Sequence, residues 1–143
     1  MDVINLVQAV LIVICSAVML NYDNVTICST CENQEMADYR LPILLSVPIK
    51  HKEIIHEPML EAIDINKYLE RGKIEQVTCG GESGDNAREL NYDRVLSIRE
   101  QCRKWEVPFY FKQAGAKFVK DGKVYKVPRA IQMEQERKAH IDL

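Results

Sequence analysis

The chain has 143 residues, 47% of them hydrophobic and 28% charged. That is the mix of one globular domain, and it excludes disordered, collagen-like and low-complexity chains. A net charge of −2 gives no bulk attraction to nucleic acid or an anionic membrane, and no motif recurs at intervals of about 20–50 residues, as a sequence-repeat solenoid requires.

Val3 to Leu20 is an apolar run broken by Asn5, Gln8 and Ser16, about the length of a membrane span. Asp2 flanks it, no Lys or Arg precedes it and no basic cluster follows, so it lacks the flanks of a signal peptide or an anchor. Within it Val10-Leu-Ile-Val-Ile14 suits a strand buried on both faces, and the run reads as a buried element of a cytoplasmic chain.

Strand-like and helix-like stretches alternate from there on. Val25-Thr-Ile-Cys-Ser29 is β-prone, and Asp38 to Val47 predicts a helix with Pro42 near its first turn and Pro48 as its stop. Ile49 to His56 predicts a strand, Ile65 to Arg71 a short helix ended by Gly72, and Ile74 to Cys79 a third strand. Leu90 to Trp105 carries Val95, Ile98, Cys102 and Trp105 at helical spacing, with Asn91 as candidate N-cap. Phe109-Tyr-Phe111 is a fourth strand. Phe118 to Lys126 reads as a hairpin turning at Asp121-Gly122, and Ala130 to His140 as a closing helix.

Five cysteines at wide spacing (Cys15, Cys28, Cys31, Cys79, Cys102) make a poor disulfide framework and read as reduced thiols. Cys28-Ser-Thr-Cys31 has the spacing of half a zinc site or a redox pair. No second pair completes it, and His51 and His56 do not restore a usual ligand spacing.

Strands starting near residues 25, 49, 74 and 109 suit βα units with right-handed crossovers. A complete (βα)₈ barrel needs about 250 residues, so the expected fold is an open α/β sheet or, preferably, a partial (βα) barrel of mostly parallel strands with a C-terminal hairpin and helix. Ligands of such folds sit at the carboxyl ends of the strands. Four polar clusters fall there: Thr30 to Gln34 with Glu32 and Asn33, His56-Glu57-Pro58, Gly80-Gly81-Glu82-Ser83-Gly84, and Lys112 to Gly115.

The glycine loop is the most specific of these. Its backbone can approach a ligand closely, its N–H groups can meet an anion, and Glu82 can accept from an amine or ribose hydroxyls; alternatively it is only a tight strand-to-helix turn. It is neither a Walker A loop nor a GxGxxG fingerprint. Lys112, leaving an aromatic strand, either pairs with a carboxylate or snorkels to water. His56 beside Glu57 is acid–base machinery or a structural histidine, and Arg88 is an anion holder or a surface arginine. Between Arg103 and His140 ten Lys or Arg stand against four acids, with Phe118 and Tyr125 among them, a local excess that can touch nucleic acid.

Cys31-Glu-Asn-Gln-Glu-Met-Ala-Asp38, His56-Glu-Pro-Met-Leu60, Cys79-Gly-Gly-Glu-Ser-Gly84 and Phe111-Lys-Gln113, in this order, resemble a phage-derived family of uncharacterised proteins that itself resembles radical SAM enzymes and carries a three-cysteine motif near its N-terminus. The resemblance covers roughly residues 20–143 and implies a radical-SAM-like partial barrel. In complete members it implies a 4Fe–4S cluster and S-adenosylmethionine. Residues 1–24 are then a divergent apolar segment and 25–143 the C-terminal half of the barrel, its N-terminal half missing.

Cys15, Cys28 and Cys31 lack the clustered spacing, so this chain alone is expected to bind no iron–sulfur cluster or other metal and to be inactive by itself. Glu32, Asn33, Glu57, Gly80, Gly81, Glu82, Ser83, Gly84 and Lys112 are the expected cofactor-facing residues. The expected partner is a separate N-terminal half, or a second copy joined through an open sheet edge. The alternatives are a non-enzymatic module binding nucleic acid or protein through the basic hairpin, and a decayed reading frame with a foreign N-terminus. No membrane association is expected.

Overall fold

The computed structural model describes residues 24–143; the expected strand at Val10–Ile14, Cys15 and the rest of the apolar run lie outside the described residues. In chain order the elements are β1 (Thr26–Thr30), α1 (Gln34–Ser46), β2 (His51–His56), α2 (Asn66–Leu69), β3 (Gln76–Gly80), β4 (Leu90–Asn91), α3 (Tyr92–Lys104), β5 (Phe109–Gln113), β6 (Lys117–Lys120), β7 (Lys123–Lys126), a 3₁₀ turn (Arg129–Ile131) and α4 (Gln132–Ala139). Every described strand and helix anticipated from the sequence is present, with boundaries moved by a few residues.

α1 begins earlier than expected because Asn33 caps it, its side chain accepting the N–H of Met36 at 2.8 Å. Pro42 therefore lies in the helix interior rather than the first turn. Asn91 caps α3 as expected, accepting from the N–H of Asp93. Leu90 and Asn91, expected inside that helix, instead form β4 and pair with Phe118 and Val119.

The main sheet has four strands, all parallel, in the order β1-β2-β3-β5. The order never reverses. That differs from the reversing order of a doubly wound sheet, and among the described residues the sheet stays open and no barrel closes. A second sheet, β4-β6-β7, was not foreseen. The β6–β7 hairpin turns at Asp121 (φ 51°) and Gly122 (φ 72°), two positive φ angles as a type I′ turn demands.

The two faces of the main sheet differ. In register across it run Ser29, Ile54, Val77 and Phe109, and beyond them His56, Cys79 and Phe111. Apart from Ser29 these are buried in one core with Leu41, Leu45, Val95 and Ile98 of the helices. The other face carries the rows Cys28, Glu53, Gln76 and Thr30, Ile55, Thr78, Tyr110. Thr78 is buried; the others are half-buried or exposed.

One edge of the sheet is closed by the chain itself. Leu143 exchanges backbone bonds with Phe109, its N–H donating at 3.0 Å, and the Asp142 carboxylate accepts the N–H of Phe111 at 2.8 Å. The other edge of the described sheet is β1. No described helix is long and apolar enough to cross a membrane.

Candidate functional site

The loops leaving the four parallel strands are laced together by backbone bonds. Leu60 N–H donates to Glu32 O at 2.9 Å, Met59 N–H to Gly80 O at 3.0 Å, Gly81 N–H to Gln113 O at 3.0 Å and Ala116 N–H to Glu82 O at 2.8 Å. Each expected cluster therefore lies on one rim, at the carboxyl ends of the strands.

At its centre is Glu57, its side chain 17% exposed. Lys112 Nζ donates to Glu57 Oε2 at 2.7 Å and Gln113 Nε2 to Glu57 Oε1 at 2.7 Å. The Gln113 amide also donates to Gly81 O at 2.9 Å. β2 and β5 are separated by β3, so these side chains reach over the end of β3, where Gly80 and Gly81 stand. A Cβ on Gly80 would lie 3.2 Å from the Glu57 carboxyl, and one on Gly81 would lie 2.6 Å from the carbonyl oxygen of Ala114. The glycine pair thus serves close approach within the rim. The Gly81 N–H is spent on the sheet, so at that residue the loop does not offer the anion nest the sequence allowed.

Around this centre lie two further ion pairs. Arg88 grips Glu82 with Nε and Nη2, each at 2.9 Å, and its backbone N–H adds a third bond; this holds the Glu82 carboxyl down at about 2. Arg40 donates to Glu32 at 2.9 Å and to the carbonyl of Thr30 at 2.5 Å. The charge of Glu32 also acts on Arg88. Of the expected residues, then, Glu57, Gly80, Gly81 and Lys112 meet directly, and Glu32 and Glu82 flank them in ion pairs. Asn33 is occupied as a helix cap, and Ser83 and Gly84 are exposed in the outward part of the loop, with open space around Gly84.

Gln113, Arg40 and the polar sheet face leading to the rim were not singled out from sequence. The face had a signal: polar residues alternate at Thr26, Cys28 and Thr30, at His51 and Glu53, and at Gln76 and Thr78.

His56 is not on the rim. It is fully buried, its Nδ1–H donates to Cys31 O at 2.6 Å, and Nε2 has no partner. Burial pushes its pKa down to about 4, so at neutral pH it is an uncharged core residue.

The thiols are likewise unsuited to chemistry here. Cys28 is exposed and Cys31 buried, on opposite faces of β1 and its extension, so the CxxC pair does not converge. Cys79 sits against Met59 sulfur at 3.4 Å, and burial raises it as it raises Cys31; Cys102 is pushed up to about 12. Among the described residues no three of His, Cys, Asp or Glu gather as metal ligands.

No curated protein and no solved structure matches the chain. A family model described as a protein of unknown function (DUF5131) matches residues 4–140, starting inside the apolar segment, whereas the resemblance was drawn from about residue 20 onwards. That description carries neither a phage origin, nor a radical-SAM relationship, nor a three-cysteine motif. The match spans nearly the whole chain, and the protein belongs to the DUF5131 family.

Proposed function

We propose that the chain is a ligand-facing half of a radical-SAM-like sheet, presenting its rim and polar face to S-adenosylmethionine and a substrate. The observation that carries this reading is the position of the Glu57–Lys112–Gln113 cluster. It stands at the carboxyl ends of sequentially ordered parallel strands, at the top of a face bearing Thr30, Glu53, Thr78 and Tyr110.

The donor set fits S-adenosylmethionine, which carries an ammonium, a carboxylate, a sulfonium and a ribose diol. Glu57 and Glu82 would accept from the ammonium and the diol, and Lys112 and Arg88 would meet the carboxylate. When bound, this cofactor supplies a group or radical for transfer. The chain's own part is to bind and orient it through the charged and amide groups that Gly80 and Gly81 let close over the end of β3.

The residues do not fit an iron–sulfur cluster. Such clusters need exposed, convergent thiolates, and Cys31, Cys79 and Cys102 are buried, protonated thiols while Cys28 stands alone on the other face. Cluster ligands would have to come from outside residues 24–143, from another segment or a second polypeptide adding beside β1.

The test is calorimetric titration of the whole chain with S-adenosylmethionine. Binding that weakens about tenfold in Glu57→Gln or Lys112→Met is expected from loss of one charge-assisted bond. No heat of binding, or equal binding by both variants, overturns the proposal. Anaerobic incubation with iron and sulfide is the second arm: a four-iron cluster lost in Cys31→Ser or Cys79→Ser would overturn the assignment of the thiols.

A further inference from the structure

A cavity of about 490 Å³ lies between the β6–β7 hairpin, α4 and the floor made by Phe111 and Ala114, sharing Ala114 with the rim loops. We propose that it binds a 5′-phosphorylated nucleotide, free or at the end of a strand.

Its walls are aromatic. Phe118 and Tyr125 are directly opposite partners in the hairpin. Tyr92 tilts onto Phe118 with ring centroids 5.5 Å apart. Tyr125 remains 47% exposed at the mouth, and the whole of β7 is exposed. A flat base laid against these rings covers apolar surface that the fold leaves wet.

Its charge is mainly positive. Lys120, Lys126 and Lys138 line it, and among the described lining residues there is no Asp or Glu. Lys138 is partly neutralised by Glu134 at 2.8 Å, and Lys120 Nζ lies 5.0 Å above the Tyr92 ring, so a cation and an aromatic face are presented together. Several ammonium groups around one cavity suit a dianionic phosphate better than a single carboxylate. The Tyr92 hydroxyl and the Gln135 amide supply hydrogen-bonding groups beside the rings, which suits a heterocyclic base better than an aliphatic tail.

The probes are AMP, adenosine, and a thymidine dodecamer with and without a 5′-phosphate, each titrated against the whole chain by equilibrium dialysis. AMP, or the phosphorylated dodecamer, is expected to bind about tenfold more tightly than its unphosphorylated counterpart. A Lys120→Met, Lys126→Met double variant should lose about tenfold, and Tyr125→Ala about fivefold or more. These side chains are exposed at the hairpin, so folding is retained and checked by circular dichroism. Lys73→Met, remote from the cavity, should bind as the parent does.

Binding of AMP identifies a free nucleotide as the source, and binding of the phosphorylated dodecamer alone identifies a strand end. The proposal is overturned if adenosine or the unphosphorylated dodecamer binds as well as its phosphorylated form. Undiminished binding by the double variant, or no binding of any probe, overturns it equally.

Discussion

Gly81 is a position where the rim tolerates little. An alanine there would place its Cβ 2.6 Å from Ala114 O and 2.9 Å from both Ala114 C and Gly115 Cα. Ordinary contact begins near 3.4 Å, so the 114–115 backbone must retreat by about 0.8 Å. It cannot do so freely. Gly81 N–H is bound to Gln113 O at 3.0 Å and Ala116 N–H to Glu82 O at 2.8 Å, one on each side of the contact. Lengthening two such bonds costs about 1–2 kcal/mol, and overpacking adds about 1–3 kcal/mol. The reduced freedom of the unfolded alanine chain returns about 0.5–1 kcal/mol. Gly81→Ala should therefore lower stability by about 1–4.5 kcal/mol in urea unfolding. Gly80→Ala is the internal comparison. The three atoms nearest its Cβ all belong to the Glu57 side chain, at 3.2–3.3 Å, a group that can swing aside, so it should cost about 1 kcal/mol or less while disturbing the bonds to Lys112 and Gln113. Equal stability of the two variants would refute the close-approach account of the glycine pair.

Three further outcomes are expected. His56 has a folded pKa of about 4 against 6.5 for the free side chain; the unfolded chain therefore binds more protons in that window, and this contribution is complete above pH 6.5, declines as pH falls and is lost below 4. The decline amounts to about 3 kcal/mol, and stability measured from pH 7 to 4 should lose that component in His56→Gln, whose amide can still donate to Cys31 O; an unchanged slope would contradict a buried neutral imidazole. A double-mutant cycle of Glu57→Gln and Lys112→Met should give a coupling of about 1 kcal/mol, limited by solvent because the Lys112 side chain is 48% exposed, and a value near zero would remove the pair from the structural account of the rim. In a Cys15→Ser chain, Ellman's reagent should titrate Cys28 rapidly and Cys31, Cys79 and Cys102 only on unfolding; Glu53→Gln should speed Cys28, because burial and the Glu53 carboxylate raise its pKa.

What could be read from the residues was whatever local chemistry decides. Asp121-Gly122 supplied the positive φ angles of a hairpin, Asn91 supplied a cap, and the interval between β-prone runs supplied parallel crossovers. What could not be read depends on segments far apart. β4 is two residues long and exists only because Leu90 and Asn91 find Phe118 and Val119. The start of α1 was misplaced because Pro42 drew the boundary towards itself, while the capping Asn33 settled it. In the site, the rim and the Glu57–Lys112 approach followed from placing both at strand ends. The residues of the glycine loop allow a ligand cradle or a tight turn alike, and only the contacts with Glu57 and with residues 114–115 explain Gly80 and Gly81. Gln113 falls within the Lys112 to Gly115 cluster, but an amide carries no charge signature to give it a role there, and it is the group that ties β5 to both Glu57 and the glycine loop.

The difference between the two sheet faces constrains what can lie against the open one. In a doubly wound sheet both faces are covered by apolar helix stripes. Here such a layer would bury Glu53, Gln76 and Lys112 beside the exposed thiol of Cys28, and among the described residues their side-chain bonds are Cys28 to Glu53, Gln76 to Thr78 and Lys112 to Glu57. Burying the remaining donors and acceptors unpaired would cost several kcal/mol in total, at about 1–3 kcal/mol for each neutral group and more for each charge. Whatever occupies this face must therefore bring matching polar groups or leave it in water. A polar ligand, or the polar interior of a larger barrel, meets that condition, and an apolar helix does not. The sequential strand order points the same way, since crossovers of one hand running in one direction place their helices on one side. The face left over is the one that leads to Glu57.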